Sequence, residues 1–242
     1  MLLEIDDVSC QFGGVMANQH VSFTMPEGEI LGLIGPNGAG KTTLFNIIAG
    51  AIKPSSGRVR FQGKDITGMR PDECCRLGIA RTFQVVRNFE DMTVIENVMV
   101  GAFLRSGREK EVRATARAIL EWSGLAHRAE AQAVELTPPE KRRLEVARAL
   151  STRPKLLLLD EVMAGLTPPE AQSGSELVRE IRARGISVLM VEHVMEVLMP
   201  LVDRVVMLNL GELLKDGKPA DIVRDKDVIA AYLGDKYRAS GV

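Results

Sequence analysis

Short apolar runs alternate with helical repeats along most of the chain. Continuous apolar runs at residues 29–34, 155–159 and 187–191 predict strands that are covered on both faces, as in a parallel sheet. Helical spacing follows at residues 43–50 and 168–183, and a glycine is expected to close each helix. Strands that alternate with helices in this way predict an α/β fold.

Two terminal regions have a different pattern. Residues 1–30 alternate between apolar and polar positions, with a turn at residues 13–14, and residues 58–63 predict another short strand. Near the C-terminus, residues 204–208 and 212–214 flank a turn and predict a hairpin. These segments therefore add strands to those of the buried apolar runs.

The segment from residue 93 to residue 150 is mainly helical. Glu109 and Arg113 are spaced for an i,i+4 ion pair, and Gly124 is expected to end their helix. Its apolar face is predicted from four residues at helical spacing, which are Val112, Ala116, Ile119 and Leu120. The chain is thus predicted to be an α/β core interrupted by a helical block.

Composition excludes several classes of function. The chain has 242 residues, enough for one large α/β domain or for a domain with an inserted subdomain. A net charge of −1 gives no general basic field for nucleic acid, and the apolar runs are too short to span a bilayer. The N-terminus lacks the regions of a signal peptide, and three cysteines make no disulfide framework. We therefore expect a cytosolic protein that binds no nucleic acid.

The first candidate site is the glycine-rich segment between an apolar run and the helix after it. Lys41 there can reach the β- and γ-phosphates of a nucleotide, and the Thr42 hydroxyl can bind Mg²⁺. Backbone N–H groups of such a loop, up to Thr43, can surround a phosphate at a helix N-terminus. The segment matches the phosphate-binding loop pattern in full, and reads Gly35-Pro36-Asn37-Gly38-Ala39-Gly40-Lys41-Thr42. An accidental glycine-rich turn is the alternative, and the flanking strand and helix disfavour it.

Acidic and imidazole side chains end two later strands. Asp160 closes the run at 155–159, where it can hold Mg²⁺ directly or through water, and the adjacent Glu161 can activate a water molecule. His193 follows the run at 187–191, where it can contact a γ-phosphate or orient water together with Glu161. The alternatives are two solvated acids at a strand end and a surface histidine, and the nearby phosphate loop favours the catalytic interpretation.

The chain resembles the ABC-type ATPases, and among them the ATP-binding subunits of branched-chain amino acid importers. The resemblance covers nearly the whole length, and the tail Ala230-Ala231-Tyr232-Leu233-Gly234 is its most specific part. The residues that carry it lie at 12–14, 35–42, 80–84, 92–98, 142–150, 160–161, 164–166, 192–193 and 230–234.

This resemblance implies a fold and several further site residues. The fold is α/β, a phosphate-loop NTPase (RecA-like) core with an antiparallel β subdomain and an inserted helical subdomain. One ABC ATPase domain would span 1–242, with core and β subdomain at about 1–83 and 154–242 and the helical subdomain at about 84–153. Phe12 would stack on adenine, Gln84 would sense Mg²⁺ and the γ-phosphate, and His193 would be the switch histidine. The helical subdomain would dock on a membrane subunit.

The signature segment departs from the family pattern of Leu-Ser-Gly-Gly-Gln. Here it reads Leu136-Thr137-Pro138-Pro139-Glu140, so Thr137 keeps a hydroxyl, Pro139 has no N–H, and Glu140 adds a negative charge. The replacement is a favourable helix start, with threonine as N-cap, proline first and glutamate third, and it recurs at residues 167–170. We expect a sound helix cap and a weakened site for the γ-phosphate that the opposite subunit holds.

The resemblance implies a peripheral ATPase subunit on the cytoplasmic face of the cell (inner) membrane. Its cofactors would be ATP and Mg²⁺, and its partners two transmembrane permease subunits, a second ATPase subunit and, indirectly, a solute-binding protein. The weakened signature favours a heterodimer with an intact second subunit, and a homodimer is possible. The solute would be a branched-chain amino acid or a related small polar solute. The alternatives are a soluble ABC ATPase not tied to transport and a weakly hydrolysing regulatory subunit.

Overall fold

The computed structural model describes residues 1–83 and 87–233. Gln84 lies outside these ranges, and so does Gly234 of the tail. The strands of the described residues are β1 (Leu3–Phe12), β2 (Val15–Met25), β3 (Ile30–Ile34), β4 (Ser56–Phe61), β5 (Lys64–Asp65), β6 (Ile79–Arg81), β7 (Leu156–Asp160), β8 (Ser187–Val191), β9 (Arg204–Asn209) and β10 (Glu212–Gly217).

These strands form two sheets. The central sheet has the order β10-β9-β3-β8-β7-β6, and all of its neighbouring strands are parallel except β9 and β10, which form the predicted hairpin. The second sheet is antiparallel and has the order β2-β1-β4-β5. The short strand β6 was not predicted from the sequence.

The helices of the described residues are α1 (Lys41–Ile48), α2 (Pro71–Leu77), α3 (Val94–Ala102), α4 (Glu109–Trp122), α5 (Pro138–Ser151), α6 (Pro168–Ala183), α7 (Met195–Leu198), α8 (Pro219–Ile222) and α9 (Lys226–Leu233). Helix α6 has the bounds that the pattern predicts. No helix in the described ranges is long and apolar enough to cross a membrane.

The central sheet is covered on both faces, which explains its continuous apolar runs. Every residue of β3, β7 and β8 is buried. In β7, Leu157 and Leu159 pack in the core shared with α3–α6, whereas Leu156 and Leu158 pack in the core shared with α1 and the antiparallel sheet. The pattern therefore indicates burial on two sides, as expected for parallel strands.

The helical block between β6 and β7 consists of α3, α4 and α5. The four predicted face residues of α4, from Val112 to Leu120, are all buried. The predicted Glu109–Arg113 ion pair is wrong, because the Arg113 guanidinium lies 3.9 Å from the carboxylate of Glu130 in the loop after α4. With the two sheets, this block confirms the predicted fold class of an α/β core, an antiparallel β portion and an inserted helical portion.

Candidate functional site

The phosphate-loop segment connects β3 to α1, and two of its glycines occupy positions that admit no side chain. Gly35 has a φ of 146°, and a Cβ there would lie 2.1 Å from the carbonyl oxygen of Leu208 in β9. Gly40 is the N-cap of α1 with a φ of 98°, and a Cβ there would lie 2.3 Å from the carbonyl oxygen of Ala17 in β2. The loop backbone is thus packed against both sheets, which fixes where α1 begins.

The ammonium group of Lys41 lies inside this loop. Nζ donates hydrogen bonds to the carbonyl oxygens of Gly35 at 2.6 Å and Pro36 at 2.9 Å, and the residue is only 7% exposed. Burial lowers the pKa of Lys41, while the negative charges of Glu161 and Asp160 oppose that shift. A positive charge is therefore held where a phosphate bound by the loop needs one.

Asp160 ends β7 and is almost completely buried. Its Oδ2 lies 3.6 Å from the guanidinium of Arg81, the last residue of β6, and its N–H donates to the hydroxyl of Thr82 at 3.1 Å. Burial raises the pKa of Asp160, and the charge of Arg81 is the largest influence that lowers it. The sequence analysis assigned no role to Arg81, because only the pairing of β6 with β7 brings the two side chains together.

Glu161 and His193 lie beside each other after the adjacent strands β7 and β8. Nε2 of His193 is 2.7 Å from Oε1 of Glu161. Glu161 has a φ of 51°, which is unusual for a residue with a side chain, and its N–H donates to the carbonyl oxygen of Val191 at 3.0 Å. A carboxylate next to an imidazole can hold and polarise a water molecule.

One open cavity of about 550 Å³ is lined by Lys41, Glu161 and His193, whereas the buried Asp160 lies outside its wall. Its walls are residues 37–43 of the loop and α1, Glu161 and His193, and residues 15–17 at the start of β2. Phe12 is not part of its wall. This ring is 49% exposed at the end of β1, where it pairs with Val15 across the turn to β2.

The signature segment forms the predicted helix cap and lies outside that cavity. The N–H and the hydroxyl of Thr137 both donate to Oε2 of Glu140 at 2.9 Å, and the side chain of Thr137 in turn caps the N–H of Glu140. Oε1 of Glu140 lies 3.6 Å from Arg128 and 3.7 Å from His127. With Pro138 and Pro139 between them, this helix start uses its own N–H groups and leaves few for an external anion.

The donor set fits a nucleoside triphosphate with Mg²⁺. The loop backbone and Lys41 provide hydrogen-bond donors and positive charge, and Thr42, Asp160 and Glu161 provide oxygen atoms. In residues 1–83 and 87–233, no group of three or more His, Cys, Asp or Glu is arranged to hold a metal. Mg²⁺ usually takes much of its coordination from phosphate oxygens and water.

Comparison with known proteins agrees with this geometry. A profile of the ABC transporter family matches residues 18–164, which include the phosphate loop, Asp160 and Glu161. The chain belongs to the ABC transporter family. A second profile, described as branched-chain amino acid ATP-binding cassette transporter, matches residues 216–238, which include α9.

ATP-binding proteins of ABC transporters match the chain over nearly its whole length. The high-affinity branched-chain amino acid transport ATP-binding protein LivG of Salmonella typhimurium is 40% identical, over 97% of this chain and 98% of that protein. An ATP-binding cassette of an ABC transporter superposes with a TM-score of 0.90 at 32% identity, over 96% of this chain and 99% of the other. An ATP-binding cassette of an ABC transporter in its ADP conformation superposes with a TM-score of 0.88 at 32% identity, over 96% of this chain and 98% of the other. This ABC transporter subunit is thus a nucleotide-binding ATPase with the phosphate-loop NTPase fold.

The structure also adds a contact from the C-terminal tail of this ABC transporter subunit. The hydroxyl of Tyr232 in α9 accepts a hydrogen bond from the N–H of Gly35 at 2.9 Å, so the tail touches the first residue of the phosphate loop. Burial raises the pKa of Tyr232, and the bond from Gly35 lowers it. The sequence analysis singled out the tail, but it had no signal for this contact across 197 residues.

Proposed function

We propose that ATP hydrolysis by this subunit uses Glu161 as the general base, with His193 orienting the base and the attacking water. The observation that carries the proposal is the 2.7 Å contact between Nε2 of His193 and Oε1 of Glu161, on a cavity that the phosphate loop also lines. Glu161 would take a proton from water as the oxygen attacks the γ-phosphate in line. Lys41 and the loop N–H groups would stabilise the charge on the phosphates.

Further residues would bind the nucleotide and its metal ion. When bound, Mg²⁺ neutralises phosphate charge and supports departure of the leaving group. Its ligands would be the Thr42 hydroxyl, Gln84 and, through water, Asp160, whose carboxylate is buried beside Arg81. Phe12, next to residues 15–17 of the cavity wall, would stack on adenine. Loop residues 35–43 would surround the phosphates, and Thr137 would face the nucleotide of the second subunit.

A groove on the helical side would dock the membrane partners. We call it the coupling groove, and it has a volume of about 280 Å³ and is lined by Phe83, Phe89, Val100, Arg148 and neighbouring residues. Phe89 and Val100 are 47% and 40% exposed, and the Arg148 guanidinium lies 5.0 Å from the centre of the Phe89 ring. Exposed aromatic and apolar residues grouped in this way are typical of a protein interface. The partners would be two permease subunits, which place this chain peripherally on the cytoplasmic face of the inner membrane.

The second ATPase subunit would be a related chain with an intact signature. Thr137 and Glu140 cap each other, and two prolines replace N–H donors, so the first turn of α5 offers little to a γ-phosphate. The site that uses Lys41 and Glu161 needs the partner's signature, whereas the partner's site meets this weakened one. A heterodimer would therefore hydrolyse ATP well at one site and poorly at the other.

The solute would be a branched-chain amino acid or a related small polar solute, delivered by a solute-binding protein. This proposal is supported by the 40% identity to LivG, a high-affinity branched-chain amino acid transport ATP-binding protein, and by the match of the C-terminal profile. Solute selection would lie in other chains of the importer.

Site-specific crosslinking in membranes tests the assembly. Val100 in the coupling groove and Val223 after α8 are both exposed, at 40% and 47%, and provide a matched pair for replacement by cysteine. After detergent extraction, Val100→Cys should crosslink to a multi-span membrane protein and Val223→Cys should not. Crosslinks from Val223→Cys alone would contradict the coupling groove, and recovery of the chain without membrane proteins would support the weakly hydrolysing or non-transport alternatives.

A further inference from the structure

Glu192 is a buried acid to which the proposed mechanism assigns no task. It follows β8 directly, precedes His193, and is only 1% exposed. Glutamate is rarely buried to this extent without a specific partner. The partner here is backbone, because Oε1 of Glu192 accepts a hydrogen bond from the N–H of Met163 at 2.8 Å.

The last residue of β8 and the two residues after it hold the turn after β7 at successive points. The carbonyl oxygen of Val191 accepts the N–H of Glu161, Glu192 accepts the N–H of Met163, and His193 contacts the Glu161 carboxylate. Three consecutive residues of one segment thus contact a three-residue turn of the other. Glu192 is the member that fixes the far end of this turn.

The same turn is anchored on its opposite side. The Arg142 guanidinium of α5 donates to the carbonyl oxygen of Ala164. The sulfur of Met163 lies 4.0 Å from the hydroxyl of Ser175 in α6. Positive φ at Glu161 costs energy and persists only where the surroundings over-determine the backbone. Without the Glu192 contact, α5 and α6 would still hold the turn on one side. On the other side, Val191 and His193 would hold it only at its first residue, Glu161.

We propose that Glu192 is a positioning residue for ATP hydrolysis: its carboxyl group holds the N–H of Met163 and so presents the Glu161 carboxylate to His193 and to the attacking water. This inference rests on the proposed role of Glu161 as the base. It adds a residue that acts on the rate of hydrolysis and does not touch the nucleotide.

The charge environment of Glu192 agrees with a group that holds the turn in its neutral form. Burial is the main cause that raises the pKa of Glu192 to about 7; the charge of Glu161 adds to the increase, and the Met163 N–H, Arg142 and the His193 N–H oppose it. Its Oε2 has no hydrogen-bond partner among the described residues, a placement that costs less for a carboxylic acid than for a carboxylate. A neutral Glu192 adds no negative charge beside Glu161.

The test compares two replacements of Glu192 in the complex purified from detergent-solubilised membranes, where the second subunit supplies the signature that the Glu161 site needs. Glu192→Gln keeps an oxygen that can accept the Met163 N–H, whereas Glu192→Leu fills similar space without an acceptor. Under single-turnover conditions with radiolabelled ATP, Glu192→Leu should lower the rate constant at least about tenfold with ATP affinity changed less than about twofold. Glu192→Gln should stay within about threefold of the wild-type rate. Exposed Glu212→Leu is the matched control and should hydrolyse ATP normally.

A double mutant separates positioning from a general loss of structure. If Glu192 acts through Glu161, then Glu161→Gln with Glu192→Leu should hydrolyse ATP no more slowly than Glu161→Gln alone. Amide hydrogen exchange at Met163 should be faster in Glu192→Leu than in Glu192→Gln. If Glu192→Leu does not fold, Glu192→Met replaces it as the variant without an acceptor.

Distinct outcomes overturn the inference and the proposed function. Suppose that Glu161→Gln is impaired. The role of Glu192 alone is then overturned by any of three results: Glu192→Leu hydrolyses ATP normally, its slower hydrolysis is explained by weaker ATP binding, or the double mutant hydrolyses ATP more slowly than Glu161→Gln. Normal hydrolysis by Glu161→Gln would overturn the proposed base, and the role of Glu192 with it.

Discussion

Lys41, Asp160 and Glu192 are ionisable side chains at the start of α1, at the end of β7 and directly after β8, and all three are less than 10% exposed. Each is buried beside a specific partner: loop carbonyl oxygens for Lys41, the Arg81 guanidinium for Asp160 and a backbone N–H for Glu192. Burial of this kind costs stability unless it is compensated. The fixed positions of these side chains therefore lower the free energy of unfolding of the chain. This cost can be measured at single residues.

Glu192→Gln should gain stability relative to the wild type as the pH rises. The folded chain holds the Glu192 proton up to a pKa of about 7, against 4.5 for an ordinary glutamate, so ionisation between these values favours the unfolded state. The free energy of unfolding of the wild type should thus fall over this range by up to about 3 kcal/mol from this group. Glutamine has no proton to lose, and this contribution disappears in the variant.

Thermal unfolding of both proteins at intervals between about pH 5 and pH 8 measures this difference. The exposed Glu109→Gln is the control, and its unfolding temperature is measured at the same pH values. A constant difference for Glu192→Gln across the range would contradict the raised pKa.

At the scale of elements, we expect the first turn of α5 to determine how well the partner's ATP is bound. Restoration of Ser, Gly and Gln at Thr137, Pro139 and Glu140 should provide N–H donors and remove a carboxylate, and we expect the chain alone to hydrolyse ATP at least about fivefold faster. Steady-state ATP hydrolysis with and without the second subunit is the measurement. Pro169→Gly with Glu170→Gln alters the equivalent cap of α6 and controls for the loss of a helix cap.

The comparison of the wild-type chain with the restored chain tests the proposed asymmetry of the heterodimer. If the wild-type chain alone closes on ATP and hydrolyses it as fast as the restored chain, then Pro139 is tolerated and the asymmetry is wrong.

The C-terminal helix α9 should influence nucleotide binding through a single hydroxyl. Tyr232→Phe leaves the N–H of Gly35 without the acceptor seen at 2.9 Å. Because one hydrogen bond contributes about 1 kcal/mol, we expect ATP affinity to fall about three- to tenfold and the unfolding temperature to fall by no more than about 4 °C. Equilibrium titration with a fluorescent ATP analogue measures the affinity. Wild-type affinity in this variant would show that α9 does not support the loop.

The elements that the sequence predicted well are those whose pattern has one explanation. The continuous apolar run of β8 and the helical repeat of α6, closed by Gly185, have the predicted bounds. Strand β6 has three residues and helix α2 buries only Cys74 of its seven, so neither has enough periodicity to be recognised. Short elements are defined by the neighbours that they pack against, and those lie elsewhere in the sequence.

Across the whole molecule, the phosphate loop and the strand-end acids could be predicted because motif and flanking pattern coincide. Contacts that connect distant segments could not be predicted. Met163 and Glu192 are 29 residues apart, and the sheet order brings them together. Gly35 and Tyr232 are 197 residues apart, and the packing of α9 beside β10 brings them together. The roles of Phe12, Gln84 and Thr137 stay predictions from the resemblance.

The central claim is that this chain hydrolyses ATP through Glu161 while bound to membrane partners. The most direct measurement is ATP hydrolysis by the complex purified from detergent-solubilised membranes, with Glu161→Gln and Lys41→Ala as the compared variants. We predict that Glu161→Gln assembles, binds ATP like the wild type and hydrolyses it at least about a hundredfold more slowly, whereas Lys41→Ala loses ATP affinity itself. Near-normal turnover by Glu161→Gln, or unchanged ATP affinity in Lys41→Ala, would contradict the account.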